Sequence, residues 1–309
     1  MDTGTGVDTN TDTNADTDTD PHPHPGTGGW HLTHDLDEFL TRAGAFLRSR
    51  PALHTVPLTV TETLRARGRS VYGQGAPQFG LLERDGGVRA TFFRTPPHWL
   101  NLTALTPEDA DALAARLAAL GRRLPGVNAD SDTAAAFAAA WQRHTGAPAA
   151  LRQRQRLYRL GTLTAPGPVP PGRPRVAVES DRERLRRWHD EFSESVGLGT
   201  VRDSAEWADA RIDSGTITFW ETPDGTPVAM AGTSPRVAGQ VRVTTVYTPP
   251  HLRGRGYAGA ATAEVSRTAL AAGADEVLLF TDLSNPTSNG LYQRIGYRPV
   301  ADFAVWDFT

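Results

Sequence analysis

Apolar positions along the chain repeat with two different periods. Between residues 35 and 68 they recur every three or four residues, as on one face of a helix, and then alternate in QFGLLE (78–83) and VRATFFR (88–94), two strands joined by a turn at Asp85-Gly86. A further strand, WLNLTAL (99–105), leads into a helix, PEDADALAARLAALG (107–121). The same order returns downstream: a helical pattern at 181–215, strand TITFWE, a turn at Asp224-Gly225, strand PVAMAG, strand VRVTTVY, a glycine-rich turn and an alanine-rich helix. Each half reads as helices, an antiparallel hairpin, a strand-to-helix crossover and further βα elements, which implies a duplicated α/β unit with a mixed sheet.

Two stretches resist any such pattern. Residues 1–29 are Asp/Thr low complexity with almost nothing to bury and are expected to be disordered. His22 and His24 in that tail read as solvated rather than as metal ligands, because a metal needs more donors held in place. The second break, TAPGPVPPGRPR (164–175), contains five prolines, which forbid regular structure. The expected organisation is therefore a tail at 1–29, a first domain at 30–163, a linker at 164–174 and a second domain at 175–309.

Composition narrows the function classes. The formal net charge is −3, but the tail holds six Asp and no basic residue, so the body is close to neutral and unlike a general nucleic-acid binder. Without cysteine there is no disulfide, no thiolate metal site and no cysteine nucleophile. No apolar stretch approaches the roughly 18 residues that span a bilayer, and the N-terminus lacks the order of a signal peptide, so a cytoplasmic location is expected.

The two crossover helices begin differently. The first opens Pro107, Glu108, Asp109, Ala110, Asp111, placing carboxylates at the positive end of the helix dipole, where they repel an added anion. The second follows PPHLRGRGYAGAA (249–261), two arginines and three glycines before the helix. Glycine lets backbone N–H groups approach a ligand, and a helix N-terminus presents unpaired donors, so this turn is built for an anion. A TPPH string stands at Thr95–His98 and again at Thr248–His251, and only the second runs on into glycines. The spacing of Gly254, Gly256 and Gly259 fits G-x-G-x-x-G, yet only 50 residues follow, too few for the parallel sheet of a dinucleotide fold. No Walker A sequence is present.

Arg253-Gly254-Arg255-Gly256-Tyr257-Ala258 reads R-x-x-G-x-A, and here the chain resembles the GCN5-related N-acetyltransferase family, with its pyrophosphate-binding motif at the start of the helix after the fourth strand. The resemblance runs over about 175–309 and includes strand EVLLFTDLS and NPTSNGLYQRIGYRPV. It implies two tandem acetyltransferase-like domains, a degenerate copy followed by one that binds acetyl-CoA as cosubstrate and needs no metal. Residues Gly254 to Gly259 would offer amides to the pyrophosphate, with Arg253 and Arg255 adding charge, and Val246, Tyr247 and Thr248 would offer main-chain groups to the pantetheine arm. Asn285 and Asn289 would contact the same arm, and Asn285 before Pro286 is also an N-cap with proline at N1. In the alanine-rich helix, Ala258, Ala261, Val265, Ala269 and Ala272 form a small-residue face suited to close packing on the sheet.

By the same resemblance Tyr292, seven residues after Asn285, is the general acid for the departing thiolate. The base stays open between Glu221, Asp282 and a water relay; His251 reads as meeting coenzyme or solvent. The expected acceptor is an amine of a small molecule or peptide, in a cleft between the helices of 181–215 and the sheet, with Trp188, Trp207 and Trp220 as candidate walls. No nucleic-acid or membrane partner is expected, and the chain reads as monomer or homodimer. The rival readings are a coenzyme-binding module without turnover and an acyltransferase using a larger acyl group.

Overall fold

The computed structural model describes residues 29–197 and 203–309, so the tail read as disordered lies, apart from Gly29, outside the described residues. The first half contributes β1 (Trp30–Thr33), α1 (Leu36–Ser49), α2 (Thr55–Arg67), β2 (Gln78–Arg84), β3 (Gly87–Arg94), β4 (Leu100–Leu102), α3 (Pro107–Ala119), β5 (Gly126–Asp130), α4 (Ser131–Thr145) and β6 (Ala149–Leu160). The second contributes β7 (Arg173–Val176), α5 (Arg182–Ser195), α6 (Ser204–Asp213), β8 (Ile217–Glu221), β9 (Pro227–Thr233), β10 (Gln240–Tyr247), α7 (Tyr257–Ala271), β11 (Glu276–Asp282), α8 (Pro286–Arg294) and β12 (Tyr297–Phe308).

All of these strands join one 12-stranded sheet in the order β1-β2-β3-β4-β5-β12-β6-β11-β10-β9-β8-β7. The two halves exchange strands at its centre. β12, the last strand of the chain, lies between β5 and β6 of the first half, and β6 lies between β12 and β11 of the second. The central pair runs antiparallel from Tyr297↔Leu160 to Phe308↔Ala149, and the strand directions repeat symmetrically outward, with β4/β5 and β10/β11 as the parallel pairs. The halves are thus related by an approximate two-fold axis normal to the sheet.

Alternation along the strands sorts the core into layers. In the second half, Val228, Ala229, Val241, Val243, Val277 and Leu279 face α7 and α8, while Ile217, Phe219 and Met230 face α5 and α6. In the first half, α3 and α4 cover one face and α1 and α2 the other. The segment between α1 and α2 also reaches across the centre, where Ala52 and Leu53 pack with Leu157, Leu278 and Phe303. Beside it, Arg242 of β10 donates to the Thr55 and Thr59 hydroxyls of α2 at 3.2 and 3.1 Å, and burial pushes its guanidinium down to about 10.

WLNLTAL is strand only at Leu100–Leu102; the hydroxyl of Thr103 turns back to accept from the Thr91 N–H at 2.8 Å. The two TPPH strings are not counterparts. The first follows β3, whereas the second follows β10, and the true counterpart of the second is the short connection at 103–106. The proline-rich linker is pinned where it begins: the Gly161 N–H donates to the Gly296 carbonyl at 3.0 Å and the Thr164 N–H to that of Ile295 at 3.1 Å. Further along, Gly172 packs so closely on Trp220 and the Glu221 carbonyl that a Cβ would collide with both.

Candidate functional site

The parallel ladder between β10 and β11 ends at Val243↔Leu279, yet β10 continues to Tyr247 and β11 to Asp282. Between these ends the strands part and their facing main-chain groups leave the ladder. On β10 a bulge accompanies the divergence: the register against β9 shifts between Thr244 and Tyr247, and Thr245 has φ +48°. One extra residue reverses the parity of everything after it. Val246 therefore packs with the α7 core and Tyr247 with the α5 core.

α7 opens above this gap. Gly256 is its N-cap with φ +83°, a conformation that costs a residue with a Cβ about 1–2 kcal/mol. No side chain caps the helix and its first turn holds no acid, so the leading N–H groups and the positive dipole end stay available. Gly259, Ala261, Val265 and Ala269 are buried against the sheet as the small-residue pattern implied, whereas Ala258 is half-buried and Ala272 is exposed at the C-cap. Gly254, Arg255 and Gly256 are exposed, Tyr257 is half-buried, and linker residues Pro166 and Pro170 stand beside Gly259 and Gly256. Arg253 and Arg255 brace the loop: Arg253 donates to the Thr248 carbonyl at 3.0 Å and Arg255 to that of His251 at 3.4 Å. Thr248 is buried, and its hydroxyl is an orphan among the described residues. An acid-free helix start, a parted strand pair and an unpaired hydroxyl beside them suit a ligand with an anionic group at the helix and an extended polar arm along the strands.

α8 starts at the end of β11. The Asn285 side chain accepts from the Ser288 N–H at 3.0 Å, the N-cap expected from the sequence. Asn289 turns inward instead of toward a coenzyme: its amide donates to the carbonyls of Asp282 and Asn285, at 2.7 and 2.8 Å, and its oxygen accepts from the Tyr158 hydroxyl at 2.9 Å. Tyr292 is buried edge-on to Tyr297, with ring centroids 6.1 Å apart, and burial pushes its phenol up to about 12.

Of the two carboxylates considered as base, Glu221 is consumed by structure. It is buried on β8, bonded to Arg175 and 3.6 Å from Arg173, and Arg175 in turn holds Asp181 at 2.6 Å. Asp282 accepts from the Gln153 amide at 2.8 Å and the Ser284 N–H at 2.7 Å. Although burial works against it, those hydrogen bonds keep its carboxyl below the ordinary range and weaken it as a base.

On the α5 side of the β10 end lies a cavity of about 570 Å³. Its walls include Trp188, Glu191 and Glu194 of α5, Tyr247 of β10, and Pro249, Pro250, His251 and Arg253 of the loop that leads to α7. The Tyr247 hydroxyl donates to Glu191 at 2.6 Å. Burial and that bond push its phenol up to about 12. Of the three tryptophans expected here only Trp188 takes part. Trp207 stacks on His189 at 4.1 Å, and Trp220 is buried on the α7 face. Glu191 and the Tyr247 side chain were missed from the sequence, and the available signal was the turn Trp188-Glu191-Phe192, which puts an acid beside buried aromatic rings.

Among the described residues no cluster of three or more His, Asp or Glu is placed to hold a metal, and no helix is long and apolar enough to cross a membrane.

Residues 182–297 match the model of the acetyltransferase (GNAT) family. No curated protein sequence matches the chain. Among solved structures, a Drosophila protein aligns over 92% of this chain and 99% of its own, with a TM-score of 0.63 at 14% identity. A GCN5-related N-acetyltransferase from Sphaerobacter thermophilus aligns over 90% and 95%, with 0.60 at 16%. A tandem GNAT protein from the clavulanic acid biosynthesis pathway aligns over 91% and 98%, with 0.53 at 13%. At these identities the likeness is one of fold, and it spans both halves.

Proposed function

We propose, from the acetyltransferase (GNAT) family domain that residues 182–297 form, that the protein is an acetyl-CoA-dependent N-acetyltransferase of small-molecule amines, with the second half as catalytic unit and the first as a degenerate copy. The observation that carries this reading is the start of α7: uncapped, free of acid, on a left-handed glycine, over the gap between β10 and β11. The amides of residues 256–259 would hold the diphosphate, and the parted main chain near Val246, with the Thr248 hydroxyl, would hold the pantetheine arm. The bound coenzyme supplies an acyl group already activated as a thioester. Tyr292, a phenol that is protonated at neutral pH and that burial raises further to about 12, is the donor for the sulfur. Arg253 and Arg255 keep the loop in shape through their bonds to Thr248 and His251, and Arg255 extends into solvent, where phosphate charge would meet it. Asn285 orients α8 by capping it.

Calorimetric titration with acetyl-CoA tests the reading, followed by thiol release on adding primary amines. Binding with release supports it, and binding without release leaves a coenzyme-binding module. No binding refutes it. Parallel titration with malonyl- and succinyl-CoA ranks the acyl group.

A further inference from the structure

The cavity beside α5 is separate from the face on which α7 and α8 lie, and its chemistry differs from that of an anion site. Helix α5 buries Leu185 and Trp188, and one turn on from Trp188 it presents Glu191. The bulge at Thr245 brings the Tyr247 side chain to the same place, so that a phenol donates to one carboxylate oxygen of Glu191 at 2.6 Å. The Trp188 ring meets that of Tyr247 edge-on at 5.9 Å, and Pro249 and Pro250 complete an apolar wall. Those prolines belong to the loop that leads to α7, so the cavity and the proposed coenzyme site share one partition.

Resting on the acetyltransferase reading, we infer that this cavity is the acceptor site, that its ligand is a small primary ammonium ion with an apolar body, and that Glu191 binds the ammonium and takes its proton. The aromatic rings and the carboxylate each favour a cation. Arg187, 3.9 Å from the other Glu191 oxygen, has a side chain 63% exposed, so an incoming ammonium displaces it at little cost. The remaining charged or titratable groups around the cavity are Glu194, His251 and Arg253. In the transfer, one ammonium proton goes to Glu191 and on to water. The free amine then forms a C–N bond at the thioester carbon, and the C–S bond breaks as sulfur takes the Tyr292 proton. The second nitrogen proton returns to Tyr292 through solvent.

Phenethylammonium and its uncharged analogue 2-phenylethanol are the probes, titrated calorimetrically into the full chain. The wild type should bind the cation at least tenfold more tightly than the alcohol. Glu191→Gln should remove that preference, and Tyr247→Phe should reduce it, while acetyl-CoA affinity stays within twofold in both. For phenethylammonium, Glu191→Gln should lower kcat/KM at pH 7 by about a hundredfold or more, the deficit narrowing toward pH 10 as free amine becomes available. Equal binding of cation and alcohol by the wild type overturns the inference. So does a Glu191→Gln variant with unchanged cation affinity and pH profile. A wild type that binds the cation but not acetyl-CoA would refute the transferase reading instead.

Discussion

Helices α3 and α7 occupy equivalent places in the two halves and begin in opposite ways. At α3 the Thr106 hydroxyl accepts from the Asp109 N–H at 3.2 Å, Pro107 stands at N1, Glu108 and Asp109 fill the first turn, and Asp109 is buried in an ion pair with Arg84. Its dipole end is satisfied from within. At α7 none of these devices is present, and nine residues, 248–256, replace the four at 103–106. Among the positions at which the following helices differ, one bears on the chemistry. Asp130 caps α4 as Asn285 caps α8, and seven residues after each cap stand Phe137 and Tyr292. Phe137 stacks with Trp141 in a fully aromatic cluster. A duplicated frame has kept its packing in both copies, while the unsatisfied donors and the buried hydroxyl stand in only one.

The largest effect should come from treating the halves as independent. Residues 175–309 expressed alone lack β6 and should show neither a cooperative thermal transition nor acetyl-CoA binding; a folded, coenzyme-binding fragment would break the picture of exchanged strands. Next, Gly256→Glu should cost about a hundredfold or more in acetyl-CoA affinity, because it strains the left-handed turn and puts a negative charge at the helix start. Thr106→Ala at the counterpart should leave that affinity unchanged. Third, Tyr292→Phe should lower kcat by about a hundredfold with coenzyme affinity preserved. The reciprocal Phe137→Tyr should cost ~1–3 kcal/mol of stability for an unpaired buried hydroxyl and leave kcat alone, and equal kinetic effects would erase the distinction. Smallest, stability should fall as pH rises above 10. The buried phenols of Tyr292 and Tyr247 titrate higher in the folded chain than in the unfolded one, so their contribution is complete below pH 10 and is lost as pH rises through about 12. Urea titrations at pH 8, 10 and 11.5 measure it, and Tyr292→Phe should flatten the decline.

Much of this was legible from sequence. The hairpins β2/β3 and β8/β9 show in alternation around Asp-Gly turns, and the start of α7 and the cap of α8 show in residue type. The central strand β6 was not, because LRQRQRLYRL carries four arginines and resembles a surface segment. Its neutralising partners, Asp307, Asp302 and Glu276, come from the other half, more than a hundred residues away. Glu191 escaped notice for a related reason. In RRWHDEF it reads as one more solvated charge, and only the Thr245 bulge, which VRVTTVY does not announce, brings Tyr247 to it. Local pattern reveals elements and caps. Pairings that depend on long-range register or on one extra residue in a strand it leaves hidden.

The position of β12 governs when the molecule is completed. During synthesis the first half emerges early with a vacant slot between β5 and β6, and the segment that fills it is made only after β7 to β11. Neither half can close its sheet before β12 has been made, so a nascent chain presents the open edges of β5 and β6 until then, and a chain that stops ahead of β12 would leave both halves unsealed.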